Sequence, residues 1–138
     1  MSEPGELRLF AERYAAAWCS HDPSRVAAHY APEGSLTING GTPAVGRDAI
    51  TEAALSFMTA LPDIEVVMDD LVARDGATEF HWTFIGTNTG PGGTGNAVRV
   101  SGFEEWALSS DGLIADSQGH FDQAEYDRQL EHGVDASA

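Results

Sequence analysis

The chain has 138 residues, which fits one domain of ordinary size and leaves little room for a second. Hydrophobic residues make up 42% and charged residues 21%, a balance typical of a globular rather than a disordered protein. Seven basic residues against 22 Asp and Glu give a formal net charge of -15, which disfavours binding to nucleic acid or to an anionic membrane surface.

The first half of the chain has helical periodicity. Apolar residues at intervals of three and four predict a helix over residues 6–20 with one face inward. Asp22 is the predicted N-cap of a short second helix that ends near residue 31. A short strand over 34–39 and a third helix from about Arg47 to Ala60 follow.

The second half of the chain alternates with a period of two. Strands are predicted over residues 64–73, 78–87, 97–108 and 113–121. Asp75-Gly76 and Asp111-Gly112 are strong hairpin-turn signals, and the Gly-rich stretch 88–96 is a longer connection. A closing helix is expected over 123–131, and the tail, residues 132–138, is expected to fray.

This order of elements predicts an α+β fold. Three helices are expected to pack on one face of a strongly curved antiparallel sheet, leaving a cone whose open end holds a small molecule. All 138 residues are assigned to this single domain, with a core of about residues 6–131.

The Asp111-Gly112 turn also predicts which side chains of the last two strands share a face. A two-residue loop there pairs Trp106 with Ser117, Glu104 with Gly119 and Gly102 with Phe121. Because that face is otherwise mostly apolar, Glu104 is expected to be desolvated, with a raised pKa suited to acid/base work. The alternative is a register shifted by one residue, which exposes Glu104 and buries Glu105.

Several segments of the chain carry a family resemblance. They are Trp18-Cys19-Ser20-His21-Asp22, Tyr30-Ala31-Pro32-Glu33-Gly34, Val45-Gly46-Arg47-Asp48-Ala49-Ile50, Gly86-Thr87-Asn88-Thr89-Gly90 and Asp111-Gly112-Leu113-Ile114. Their order and spacing resemble the SnoaL-like branch of the nuclear-transport-factor-2-like superfamily, over about residues 6–131. The resemblance implies a cone-shaped, cystatin-like α+β barrel, a homodimer formed through the exposed sheet face and a pocket for a hydrophobic small molecule.

The resemblance does not supply a complete catalytic site. Polyketide cyclases of this family use an Asp on the last strand as the acid/base, and limonene epoxide hydrolases place a carboxylate at the same position. The corresponding residue here is Gly119, the accompanying Trp corresponds to Gln118, and the His of the hairpin motif corresponds to Asn88. The cyclase mechanism therefore does not carry over residue by residue.

The strand over 78–87 leaves two assignments open. Hydrophobicity alone points its aromatic residues inward, whereas analogy with the family places His81 and Thr83 inside the pocket. On the second assignment, His81 and Glu104 form a couple in which one group takes a proton and the other returns it. His120 and Asp122 are further catalytic candidates, although Asp122 is also well placed to cap the closing helix and His120 to lie on the surface or at a dimer interface.

The remaining pocket candidates are mostly aromatic, and ordinary core packing is the alternative for them. They are Tyr14, Trp18, Tyr30, Phe57, Met58, Thr83, Trp106, Ser117, Gly119 and Phe121.

The sequence shows no signal for a metal or a cofactor. The five His residues lack metal-ligand spacing, and the Gly-rich loop lacks a phosphate-binding Lys, so we expect neither.

The expected function is that of a cofactor-independent enzyme. It would act on a hydrophobic small molecule, such as a polyketide, by proton transfer leading to cyclisation, isomerisation or hydration. The alternative is a non-catalytic pocket protein that binds a small ligand.

The cysteine content and the first segment bear on localisation. The single cysteine, Cys19, rules out an internal disulfide. An acidic first segment without a long apolar run favours a cytoplasmic protein with no membrane partner.

Overall fold

A computed structural model describes residues 4–74 and 77–134. Within these ranges the chain forms four helices and six strands. The helices are α1 (Pro4–Cys19), α2 (Pro23–Ala27), α3 (Arg47–Ala60) and α4 (Gln123–His132). The strands are β1 (Tyr30–Ile38), β2 (Ala44–Val45), β3 (Glu65–Arg74), β4 (Ala77–Thr87), β5 (Ala97–Leu108) and β6 (Ile114–Phe121).

The six strands form one curled, unclosed sheet in the order β2-β1-β6-β5-β4-β3. Within the run β6-β5-β4-β3 each pair of adjacent strands is antiparallel, and α1, α3 and α4 contact the sheet. The predicted α+β class with a curved sheet is confirmed, but β1 pairs parallel with β6 instead of antiparallel. These two strands are far apart in the chain, so no hairpin turn dictates their relative direction.

Strand β1 begins earlier than the sequence pattern predicts. The second helix ends at Ala27, and the backbone is extended from Tyr30 onward, so the helical prediction up to residue 31 is wrong at its end. Pro32 lacks an amide donor and disfavours helical geometry at Ala31, which favours the extended backbone there, but it does not explain why the helix ends as early as Ala27. The early strand start places the fully buried Tyr30 in the core.

Most other boundaries agree with the prediction to within one or two residues. Asp22 caps α2 as predicted, because its Oδ1 accepts a hydrogen bond from the Ser24 amide at 3.0 Å. The predicted Asp75-Gly76 turn lies outside the described residues, as do residues 135–138 of the predicted frayed tail.

The core lies between one face of the sheet, called the inner face here, and the helices. Its largest fully buried side chains are Trp106, Tyr14, Tyr30, Phe80, Ile50, Leu61, Ile64 and Ile114. Along β4 the inward residues alternate with His81, Thr83 and Ile85, which point to the opposite, outer face. In the described ranges, no helix is both long and apolar enough to cross a membrane.

Candidate functional site

A cavity of about 50 Å³ lies against the inner face of the sheet and opens to solvent on one side. Its lining is almost entirely apolar and half aromatic: Trp18, Leu36, Ile38, Phe57, Ile64, Val66, Phe80, Trp82, Phe84, Glu104, Gly119 and Phe121. Glu104 is the one titratable residue in this lining. Because a cavity known to hold benzene has a volume of about 150 Å³, a ligand of that size or larger would also occupy the open mouth.

The strand register carries Glu104 into this cavity. Glu104 lies opposite Phe80 on β4 and opposite Gly119 on β6, as the sequence predicts, and its residue surface is 7% exposed. The alternative register, with Glu105 inside, is excluded because Glu105 is exposed on the outer face.

The turn that led to this register is longer than expected. The Ser109 amide donates to the Leu113 carbonyl oxygen at 2.7 Å, so the loop is not the predicted two residues. A register shift between Ala107 and Leu108 compensates for the difference. The pairing of Trp106 with Ser117 therefore follows the prediction although the loop does not.

Hydrogen-bond donors from four elements hold the carboxyl group of Glu104. Trp106 Nε1 and Ser117 Oγ donate to Oε1 at 2.9 and 2.7 Å. The Tyr14 hydroxyl lies 3.1 Å from Oε1 and 3.2 Å from Oε2, and the Tyr30 hydroxyl lies 3.5 Å from Oε1. The Tyr14 and Tyr30 hydroxyls are 2.9 Å apart. Since most donors converge on Oε1, Oε2 is the oxygen with spare capacity to accept a proton.

Burial and hydrogen bonding act on the pKa of Glu104 in opposite directions. Burial raises this pKa above its ordinary value of 4.5, and the four donors offset part of the rise because they favour the charged form. Burial, followed by the nearby Glu104 charge, raises the pKa of both Tyr14 and Tyr30 well above 10.0. Both tyrosines therefore remain neutral hydrogen-bond donors.

Gly119 lies beside this carboxyl group at a position where a side chain would fit. A Cβ atom placed on Gly119 would lie 3.7 Å from the Thr37 carbonyl oxygen and 3.8 Å from Glu104 Cγ, which are ordinary contact distances. Backbone crowding therefore does not require a glycine here, and no second carboxylate stands beside Glu104 at this position.

The predicted couple between His81 and Glu104 is not formed. His81 lies on the outer face, with Nε2 3.1 Å from Glu79 Oε1 and its ring stacked on Phe103 at 5.3 Å. The assignment from family analogy is wrong for β4, because burying three aromatic side chains on the inner face stabilises the opposite orientation.

Thr83 is also on the outer face and does not line the pocket as predicted. Its hydroxyl donates to Asp69 Oδ2 at 2.6 Å and lies 2.7 Å from Ser101 Oγ. The same alternation along β4 that turns His81 outward turns Thr83 outward.

The other two catalytic candidates lie away from the cavity. His120 Nε2 lies 2.8 Å from Glu105 Oε1 on the outer face. Asp122 is the N-cap of α4, where its Oδ1 accepts a hydrogen bond from the Glu125 amide at 3.1 Å. Neither side chain is among those that line the cavity.

Eight of the ten predicted pocket residues either line the cavity or hydrogen-bond Glu104. Those that line the cavity are Trp18, Phe57, Gly119 and Phe121, while Tyr14, Tyr30, Trp106 and Ser117 lie behind them as donors to Glu104. Met58 is buried in the core but does not line the cavity. Sequence reasoning left Phe80, Trp82 and Phe84 off the pocket, although their alternation with polar residues was the signal that identifies them.

Across residues 4–74 and 77–134, no three His, Cys, Asp or Glu side chains converge in a way that could hold a metal ion.

Comparison with solved structures places this fold in a known group. The protein TsrD from Streptomyces laurentii is 22% identical with a TM-score of 0.80, over 94% of this chain and 98% of that one. A SnoaL-like polyketide cyclase candidate from Jannaschia sp. CCS1 is 14% identical with a TM-score of 0.80, over 94% and 96%. A protein of ketosteroid isomerase-like fold from Catenulispora acidiphila, in complex with trimethylamine, is 15% identical with a TM-score of 0.78, over 88% and 92%. At these identities the likeness establishes the fold and not the reaction.

Sequence comparison identifies the family. No curated protein matches the sequence of the chain. The family model of the SnoaL-like domain matches residues 11–117, a stretch that includes the C-terminal part of α1, the Gly-rich connection, Glu104 and Ser117. The chain therefore belongs to the SnoaL-like family.

Proposed function

We propose that the protein is a cofactor-independent enzyme in which Glu104 exchanges a proton with a small hydrophobic substrate, leading to isomerisation, cyclisation or hydration. The observation that supports this proposal is the position of Glu104 as the one titratable group lining an otherwise apolar cavity. A buried carboxyl group whose pKa is raised is a stronger base than an exposed one and exchanges protons nearer to neutral pH. The polyketide cyclase candidate among the structural neighbours supports polyketide-like molecules as the substrate class.

The surroundings of Glu104 suit a group that cycles between two protonation states. In the charged state, Trp106, Ser117 and Tyr14 donate to its oxygens and stabilise the anion. Oε2 then takes a proton from a substrate C–H group and returns it to a different atom of the same molecule. The aromatic walls hold a flat substrate in place and exclude water from the transfer.

A model reaction tests whether Glu104 acts as a base, and it does not require the natural substrate to be known. 5-Nitrobenzisoxazole is a flat molecule that loses its C3 proton to a base while its N–O bond breaks, giving a coloured cyanonitrophenolate. We expect the protein to accelerate this reaction, with a rate that rises with pH as Glu104 loses its proton. Glu104→Gln keeps the size of the side chain and removes the base, so the rate is expected to fall about 100-fold or more.

Glu105→Gln is the matched control for this experiment. It removes the neighbouring carboxylate, which lies on the outer face beside His120. Its rate should equal that of the wild type. Equal rates for wild type and Glu104→Gln, in proteins with the same near-ultraviolet circular dichroism, would rule out Glu104 as the base.

A non-catalytic binding protein is the second candidate function. The specific observation in its favour is Gly119, which leaves Glu104 without a second carboxylate. The neighbour that holds trimethylamine also supports it, because aromatic walls and one carboxylate suit a small cation. Saturable binding of 5-nitrobenzisoxazole by the wild type without any acceleration would favour this candidate.

We also propose that the protein is a cytoplasmic homodimer joined through the outer face of the sheet. Support for this interface comes from a strip of contacting rings, formed by His81, Phe103 and His120, which is flanked by the half-exposed Val67 and Ile85.

A further inference from the structure

Glycine residues inside strands need a physical reason. A glycine loses more conformational freedom on folding than other residues and brings no side chain to pack, so it weakens a strand. Four glycines lie within the described strands: Gly34, Gly86, Gly102 and Gly119. At the first three, an added Cβ atom would lie 3.0 Å or less from a neighbouring atom, which is closer than almost any side chain tolerates. Close packing therefore explains the glycine at these three positions.

Gly119 has no such reason. Its backbone is not in the left-handed region, and the atoms nearest to an added Cβ lie at ordinary contact distances of 3.7 and 3.8 Å. The residue is buried in the wall of the cavity. A glycine inside a strand often marks a place where a ligand or another backbone approaches closely. Among the described residues no other segment crowds Gly119, which leaves a ligand as the occupant of this space.

Gly119 forms the floor of a narrow gap in the inner face of the sheet. It pairs with Ile38 on β1 and with Glu104 on β5. An added Cβ atom would lie 3.8 Å from Ile38 Cγ1 and 3.8 Å from Glu104 Cγ, so these two carbon atoms are no more than twice that distance apart. All three residues line the cavity, into which the gap opens. This gap is called the Gly119 slot here.

The Gly119 slot is one layer of carbon atoms wide. Carbon atoms in contact are about 3.5–4.0 Å apart, so a single layer fills the space between Ile38 Cγ1 and Glu104 Cγ. The edge of an aromatic or conjugated ring is one such layer, whereas a saturated ring is puckered and therefore thicker. Because both side walls are aliphatic carbon, the slot suits the apolar edge of a flat ring.

We propose that Gly119 determines the specificity of the cavity, and that the ligand inserts the edge of a flat aromatic or conjugated ring into the Gly119 slot. This inference rests on the proposed function in taking the cavity as the site, and it holds for the enzyme and for the binding protein alike. In the enzyme, the slot keeps the ring in contact with Glu104 and rejects saturated molecules of the same outline. Gly119 itself takes no part in the reaction.

Two probes of the same outline test the slot by isothermal titration calorimetry, without requiring turnover. 2-Naphthol has two flat rings, and decahydro-2-naphthol has the same two rings in saturated, puckered form. We expect the wild type to bind 2-naphthol about tenfold more tightly, because only the flat rings enter the slot. Gly119→Ala fills the slot with a methyl group, so the affinity for 2-naphthol should fall about tenfold and the preference should disappear.

The stability of the same variant separates a functional glycine from a structural one. Alanine fits at position 119 and costs a strand less than glycine does, so Gly119→Ala should unfold at a higher urea concentration than the wild type. A glycine that the fold requires would give the opposite shift. Weaker binding by a more stable protein is therefore the result that the slot predicts.

Two further variants change the walls. Ile38→Ala removes one side of the slot, so decahydro-2-naphthol should bind about fivefold more tightly and the preference should narrow. Glu104→Gln keeps Cγ and should keep the preference. The matched control Ser101→Thr adds one methyl group at an exposed position of β5 on the outer face and should keep both affinities.

Four results overturn the slot: equal binding of the two probes to the wild type, binding of neither, a preference that survives in Gly119→Ala, or a Gly119→Ala protein less stable than the wild type. A preference for the flat probe together with an inactive base in the benzisoxazole reaction overturns the proposed function and leaves the slot standing. An active base without that preference overturns the slot and leaves the proposed function.

Discussion

The anionic form of Glu104 is both penalised and supported by its surroundings. Burial removes water from the carboxylate, and none of the groups that hydrogen-bond it in the described structure is cationic. Three hydroxyls and one indole N–H stabilise the charge only in part, so the pKa of Glu104 remains above its ordinary value. Because the hydrogen bonds do not fully offset burial, Glu104 is suited to proton transfer, but its charged form lowers the stability of the folded state.

This cost predicts a pH dependence of stability. The folded state holds the Glu104 proton more tightly than the unfolded state, whose pKa is near 4.5. The contribution of Glu104 is therefore most favourable below that value and is lost as the pH rises through the window between 4.5 and the raised folded pKa. Above the window the protein is destabilised by a constant amount.

Urea unfolding of wild type and Glu104→Gln, followed by Trp fluorescence from about pH 4 to about pH 8, measures this effect. The free energy of unfolding of the wild type minus that of the variant should fall with pH across the window and then level off. Glu105→Gln corrects for the loss of one acidic charge from the surface. A difference between wild type and Glu104→Gln that stays constant with pH would contradict the prediction.

The inward position of Glu104 was predictable, but its partners were not. The alternation of side chains along β5 is a local signal that turns Glu104 to the apolar face. Its pairing with Gly119 was predicted from a two-residue turn that does not form, and it is preserved because the register shift between Ala107 and Leu108 offsets the longer loop. The donors Tyr14 and Tyr30 lie 90 and 74 residues away in the chain, and no local pattern connects them to Glu104. For His81, the apolar pattern of β4 predicted the correct face and family analogy did not.

At the scale of elements, agreement is best where a local chemical signal sets a boundary. Helix α3 begins and ends where predicted, and Asp22 caps α2. Strand β2 was missed because two residues are too few to show a period. The parallel pairing of β1 with β6 depends on a partner about 80 residues away, so the sequence of β1 alone carries no signal for it.

The start of α4 yields a prediction that separates a structural from a catalytic role for Asp122. Asp122→Ala removes the cap on the Glu125 amide and should lower the free energy of unfolding by about 1 kcal/mol. Asn caps a helix as well as Asp does, so the free energy of unfolding of Asp122→Asn should lie within a few tenths of a kcal/mol of the wild-type value. Both variants should turn over 5-nitrobenzisoxazole at the wild-type rate. A stable Asp122→Asn protein without activity would show instead that the carboxylate takes part in the reaction.

At the scale of the whole molecule, the fold class followed from the order of the elements, whereas the size of the cavity did not. A cone of helices on a curved sheet leaves an interior whose free volume depends on how individual rings fill it. Here Phe84 packs edge-to-face against Phe57, Phe121 and Tyr126, and about 50 Å³ remains between the lining residues. Such packing depends on tertiary geometry that periodicity does not contain.

Charge is the property of the whole molecule that most affects the proposed dimer. Each chain carries a formal charge of -15, and Glu79 and Glu105 border the proposed interface on the outer face. Two copies therefore repel each other, and salt screens the repulsion between exposed charges. We expect sedimentation equilibrium to give a mass near twice 14.7 kDa at about 0.5 M NaCl and a lower mass at about 0.02 M.

Two variants locate the interface in the same experiment. Phe103→Glu adds a carboxylate at the centre of this strip of rings and should give the monomer mass at both salt concentrations. The matched control Leu55→Glu adds the same charge at a residue of α3 that is 47% exposed, away from the outer face, and should leave the dimer intact at high salt. If the wild type is a monomer at high salt, or if Phe103→Glu is still a dimer, two copies do not associate through this face.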